Sequence, residues 1–192
     1  HPIPLDVRDR EAVASAFSDL PAPFDSPTIL VNNAGSALGV EPAHEASLDD
    51  WTRMIDTNIT GLSAVTHAVL PGMVERGHGH IINIGSVAGT FPYPGGNVYG
   101  ATKAGVLGMN RALAVELAPR VRVNAICPGI IETDMVATMS REARVPVSKW
   151  IGDQLIKQPQ DPADIARMVA FLHGSRAMTG QAINVDGGTM FH

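Results

Sequence analysis

Apolar and polar positions alternate along the chain in two kinds of run. Short, continuous apolar stretches occur at Ile3–Leu5, in "TILVNNAG" (28–35), in "HIINIGS" (80–86), in "VRVNAIC" (121–127) and in "GQAINVDGG" near the end. Between them lie longer stretches with apolar residues at helical spacing, over 8–20, 48–76, 97–118 and 161–172. The first kind predicts strands buried on both faces, the second amphipathic helices. Punctuation agrees with these limits. Ser47, with Asp50 three residues on, opens the second helical stretch, Pro119 closes the third, and Pro128-Gly129 stops the fourth strand. Pro162 sits in the first turn of the last helix. Strands separated by helices of this length predict βαβ units, and hence an α/β fold with a doubly wound, mostly parallel sheet covered on both faces.

One stretch breaks the alternation. Residues 134–160, "DMVATMSREARVPVSKWIGDQLIKQPQ", mix charges, methionines, Trp150 and Pro146 between two regular elements. A loosely helical insertion of this kind reads as a movable lid over a site or as a plain surface excursion. Otherwise the 192 residues make a single domain without repeats or low-complexity segments.

Composition narrows the partners. Hydrophobic residues make up 45% and charged residues 17%, an ordinary globular balance. A net charge of −5 argues against nucleic acid or an anionic membrane surface as partner. No apolar run reaches the length of a bilayer span, and the start carries no signal-peptide pattern. The single cysteine, Cys127, has no internal disulfide partner, which fits a reducing cytoplasm; on a strand it reads as a small buried hydrophobe. The histidines show no metal-ligand spacing and read as surface or packing residues, so no metal is expected.

In an open parallel sheet, ligands bind beyond the carboxyl ends of the strands. Small or hydrogen-bonding residues follow four of the runs here: Asp6 after the first, Asn32 to Gly35 after the second, Gly85 to Gly89 after the third, and Pro128 to Thr133 after the fourth. A flat ligand can approach backbone closely at such places. In "NVYGATKAG" (97–105), Tyr99 and Lys103 lie one helical turn apart on one face. Spacing alone leaves them as two side chains snorkelling at a surface. Asp6 reads equally as a cap for the first helix, and Asn58 as the cause of a kink. Ser86 lacks the G-x-S-x-G frame of a hydrolase nucleophile.

Taken in order, "NNAG", Ser86 followed thirteen residues later by Tyr99-x-x-x-Lys103, "PGIIETDM" and "NVDGG" resemble the short-chain dehydrogenase/reductase family over nearly the whole chain. The resemblance implies a Rossmann-type sheet that binds NAD or NADP, and hydride transfer between an alcohol and a carbonyl. It implies that Tyr99 is the acid/base, Lys103 its partner, Ser86 the substrate-orienting hydroxyl and Asn58 the fourth member of a tetrad. Among cofactor contacts it implies Asp6 at the adenine, Asn32, Ala34 and Gly35 at the ribose, and Pro128, Gly129, Ile131 and Thr133 at the nicotinamide. A nearby ammonium is expected to lower the phenol's pKa, and Ser86 to hydrogen-bond the substrate oxygen.

The family pattern opens with a glycine-rich turn, and no G-x-x-x-G-x-G precedes "LDVRD". The functional protein is therefore expected to be longer than this chain, with the first βαβ unit outside it and an exposed edge on the "TILVNNA" strand. On substrate the resemblance divides. "PAHEASLDDWTRMIDTNITGL" and "GGNVYGATKA" look like the serine-type 3-hydroxy acid branch; "VNAICPGIIETDM" looks more like 3-oxoacyl carrier-protein reductases and sugar or polyol dehydrogenases. A homotetramer is expected, packed through the helix bearing Tyr99 and the one before it. A nucleotide-binding or scaffold protein without turnover is the rival class.

Overall fold

The computed structural model describes residues 1–152 and 154–190. Four strands, β1 (Ile29–Asn32), β2 (Gly79–Ile84), β3 (Val121–Pro128) and β4 (Ala182–Val185), form one parallel sheet in the order β1-β2-β3-β4. The register aligns Asn32 with Asn83, Ile84 with Ile126, and Pro128 with Val185. All four strands run the same way, so the loops that follow them share one edge of the sheet.

Helices cover both faces, as the continuous apolar strands require. On one face α1 (Arg10–Ser18), α3 (Leu62–Arg76) and α4 (Asn97–Leu117) pack Val13, Val65, Val69, Met73, Ala114 and Leu117 against Leu30, Ile81, Val121 and Val123. On the other face α7 (Pro162–Gly174) sets Leu172, Ile165 and Val169 against Ile82 and Ile126.

Two buried polar networks fix the sheet against these layers. On the α3/α4 face, Asn32 Nδ2 donates to Thr66 Oγ1 at 3.0 Å and to Asn83 Oδ1 at 2.9 Å. Asn83 Nδ2 donates to Asn110 Oδ1 at 3.2 Å, and Asn110 Nδ2 to the Gln181 carbonyl at 3.2 Å. Each buried amide left without a partner costs about 1–3 kcal/mol, so the ladder holds strands and helices in one arrangement. On the α7 face, Arg122 donates to the carbonyls of Leu172, His173, Ser175 and Met178 and to His80 Nδ1. That guanidinium closes the carboxyl end of α7, where unpaired carbonyls favour a cation.

Several local signals act as the sequence predicts. Ser47 accepts from Asp50 N at the start of α2 (Leu48–Ile55), and Asp161 accepts from Ala163 N at the start of α7. Cys127 is buried beside Leu107 and Ala125. Others do not. Ile3–Leu5 forms no strand: Leu5 and Val7 pack on the core by their side chains, but a strand needs a neighbouring ladder, and among the described residues none pairs with the outer edge of β1. Asp9 rather than Asp6 caps α1, accepting from Glu11 N and Ala12 N. The irregular stretch contains α5 (Asp134–Ala143) and α6 (Val147–Trp150), neither with a buried residue. Its base is closed: Ile131 pairs with Gln160, with Glu132 N donating to Gln160 O and Gln160 N to Ile130 O.

Candidate active site

The helical run that begins at Leu48 does not stay α-helical. Between α2 and α3, Asp56–Gly61 forms a π-helical turn, and the Thr57 hydroxyl bonds back to the Arg53 carbonyl there. The extra residue in this turn carries Asn58 inward, where only 1% of its surface is exposed. Its amide then clamps the backbone just past β1: Oδ1 accepts from Ser36 N at 2.8 Å and Nδ2 donates to Ser36 O at 2.9 Å. Nδ2 also donates to Thr102 Oγ1 at 3.0 Å.

Ser86 follows β2 in extended conformation and caps the 3-10 turn Val87–Gly89, its Oγ accepting from Ala88 N at 3.1 Å. This contact fixes the position of the oxygen and leaves its proton to be donated elsewhere. The turn lies directly on α4. A Cβ at Gly89 would fall 2.9 Å from the Lys103 carbonyl carbon and 3.0 Å from Ala104 N, so only glycine allows this approach. Ser86 is thereby held beside the Tyr99 phenol.

Lys103, the residue after Thr102, is 7% exposed and donates from Nζ to the Ile84 carbonyl at 2.8 Å. Its ammonium lies 5.8 Å from the centre of the Tyr99 ring. Burial pushes the Lys103 ammonium down to about 8, and burial also raises the Tyr99 phenol above its ordinary range. A hydrogen bond with the Ser86 hydroxyl favours ionised Tyr99 against that burial. Lys103 spends one hydrogen bond on the Ile84 carbonyl, and burial is the largest influence on both groups. Burial likewise raises the Cys127 thiol to about 11. A second phenol, Tyr93, stands near Tyr99 against Gly96 and is raised to about 12, chiefly by burial.

Asn58, Ser86, Tyr99 and Lys103 thus meet at the carboxyl edge of the sheet, brought from three separate segments: the π-helical turn, the backbone after β2, and α4. The other expected residues divide. Gly35 belongs to the cluster: a Cβ there would lie 3.4 Å from Asn58 Oδ1 and 3.6 Å from Lys103 Nζ. Asn32 turns its side chain into the polar ladder, which leaves only its backbone for a ligand. Ala34 is exposed beside them. Pro128 ends β3, Gly129 N donates to Val185 O, Ile131 is paired with Gln160, and the Thr133 hydroxyl caps α5. Asp6 is exposed, and its carboxylate is closed by Arg8, which holds it at about 2.

Thr102 and Ser36 were missed by sequence reasoning. Thr102 immediately precedes the lysine and Ser36 immediately follows "NNAG", but their shared partner Asn58 lies at least 22 residues away from either. Among the described residues no group of three or more His, Cys, Asp or Glu could hold a metal ion, and no helix is long and apolar enough to cross a membrane.

The donor set suits a ribose diol beside a flat ring. Lys103 keeps ammonium protons beyond the one given to Ile84, the glycine at 35 leaves room next to them, and Ser36 Oγ is buried without a partner among the described residues.

Comparison with known proteins agrees with this geometry. A family model described as enoyl-(acyl carrier protein) reductase matches residues 1–190. The chain is 59% identical over 128 residues to the NADP-dependent 3-hydroxy acid dehydrogenase YdfG of Escherichia coli, covering 66% of this chain and 52% of that protein. It is 44% identical over 174 residues to sulfoacetaldehyde reductase 2 of Chromohalobacter salexigens, covering 90% of this chain and 69% of that one. The closed form of serine dehydrogenase complexed with NADP+ superimposes with a TM-score of 0.84 at 44% identity, over 94% of this chain and 73% of that one. The chain spans about half the length of the first of these relatives.

Proposed function

The chain belongs to the short-chain dehydrogenase/reductase family, and on that footing we propose that it carries the catalytic side of an NADP(H)-dependent oxidoreductase acting on 3-hydroxy acids. The observation that carries this reading is the convergence of Asn58, Ser86, Tyr99 and Lys103 at the carboxyl edge of a parallel sheet. The choice of NADP and of 3-hydroxy acids rests on the names of the relatives.

A bound nicotinamide would supply the hydride chemistry, between the carbinol carbon of an alcohol and the carbonyl carbon of a ketone or aldehyde. The protein's part is the proton. In oxidation ionised Tyr99 takes the proton from the substrate hydroxyl; in reduction the Tyr99 hydroxyl gives it back to the carbonyl oxygen. Ser86, with its oxygen fixed by Ala88 N, donates to the same substrate oxygen as charge develops there. Lys103 and the backbone past Asn32 would hold the ribose, with Ala34 and Gly35 against it. Pro128, Gly129, Ile131 and Thr133 would flank the ring, and Asp6 would lie toward the adenine. Because Thr133 also caps α5, ring contact there would steady the 134–160 stretch, which we read as a lid hinged at the Ile131–Gln160 pairing.

We also propose a homotetramer. The interface is assigned to α4 and the helix before it, α3; on α4, Ala101, Gly108 and Val115 form an exposed stripe of small and apolar residues. The direct test uses the protein that carries this chain, with NADP+ and NAD+ supplied in turn and L-serine, other 3-hydroxy acids and sugar alcohols as substrates. Reduction of NADP+ with 3-hydroxy acids is expected. Turnover of sugar alcohols alone would contradict the substrate, and cofactor binding without any turnover would favour a binding module.

A further inference from the structure

We propose that Thr102 is a positioning residue that couples Asn58 to the helix bearing Tyr99 and Lys103. Thr102 Oγ1 donates to the Tyr99 carbonyl at 2.8 Å and accepts from Asn58 Nδ2 at 3.0 Å. Both side chains are buried, at 3% and 1% exposure. Asn58 spends its other polar contacts on the two backbone groups of Ser36. One hydroxyl therefore joins three segments: the first turn of α4, the π-helical turn, and the backbone that follows β1. Lys103 is the next residue along α4, and Gly35 Cα sits where an added methyl would touch both Asn58 and Lys103. The distance between the Ser36 backbone and the Tyr99–Lys103 turn is set through this hydroxyl.

Removing the hydroxyl leaves one Asn58 N–H buried without an acceptor. Asn58 then turns or draws in water, the Ser36 clamp loosens, and Tyr99 loses its fixed place relative to a ligand resting on that backbone. The inference rests on the oxidoreductase reading for its catalytic consequence, but the structural link does not.

The experiment compares Thr102→Val, which keeps the branched shape, with Thr102→Ser, which keeps the hydroxyl. Hydrogen exchange at the Ser36 amide, measured on the folded protein, reads the link without requiring turnover. Exchange is expected to rise about tenfold or more in the valine variant and to stay near wild type in the serine variant. In the same preparations kcat is expected to fall between about 10- and 100-fold in the valine variant, with KM little changed and recovery in the serine variant. Unchanged Ser36 exchange in a folded valine variant overturns the inference. Equal loss of kcat in both variants overturns it as well, because the serine retains the hydroxyl. An inactive wild type in which Ser36 still responds to the valine change sustains the link and removes the oxidoreductase reading instead.

Discussion

Replacing Gly35 with alanine separates a glycine kept for the fold from one kept for a ligand. Gly35 has no positive φ, so alanine can adopt its backbone conformation. The new methyl would lie 3.4 Å from Asn58 Oδ1, 3.6 Å from Lys103 Nζ and 3.9 Å from the Asn33 carbonyl, all ordinary contact distances. The folded protein without ligand therefore bears little strain. Reduced freedom of the unfolded chain offsets that strain by about 0.4–1 kcal/mol. A melting temperature within a few degrees of wild type is expected. The same methyl occupies the surface beside Lys103 Nζ where a ribose diol would sit. Overfilling a packed contact costs about 1–3 kcal/mol, which corresponds to roughly 5- to 150-fold in Kd. Thermal unfolding and NADPH titration by nicotinamide fluorescence measure the two effects on one preparation. A variant that melts many degrees lower yet binds NADPH as wild type does refutes the reasoning, because the glycine would then serve packing alone.

His80 is buried against the Arg122 guanidinium, with His173 nearby on α7, and burial followed by those charges lowers it from 6.5 to about 4. Both states are neutral above pH 6.5, and the unfolded chain alone takes up a proton below it, so stability falls by about 3 kcal/mol between pH 6.5 and about 4. Urea midpoints across that range check this, and His80→Gln should flatten the profile; an equally steep profile in the variant assigns the loss to other groups. Val115, 84% exposed on α4, becomes buried in the proposed tetramer. Val115→Glu should reduce the mass seen by light scattering, since an unpaired charge in an interface is strongly unfavourable; an unchanged tetramer removes this face of α4 from the assembly.

The elements that could be read from the sequence were those fixed by local chemistry. Ser47 and Asp161 cap where their patterns begin, Pro119 stands just past α4, and the apolar runs of β2 and β3 lie in the centre of the sheet. What could not be read depended on distant partners. Ile3–Leu5 has strand composition but no ladder to join. α5 and α6 bury no residue, so core packing does not mark their limits as it does for the other helices. Tyr99 and Lys103 were visible as a pair, but their protonation was not: burial shifts both toward neutrality, and a four-residue spacing carries no information about burial. Thr102 was hidden for a similar reason, because its acceptor role exists only where the π-helical turn delivers Asn58.

The measurement closest to the central claim is the Tyr99→Phe substitution, which deletes one oxygen from a partly buried ring. NADP(H) affinity should stay within about threefold of wild type, while oxidation of 3-hydroxy acids falls by at least about 100-fold. A phenylalanine variant that turns over as fast as wild type would show that another group moves the proton.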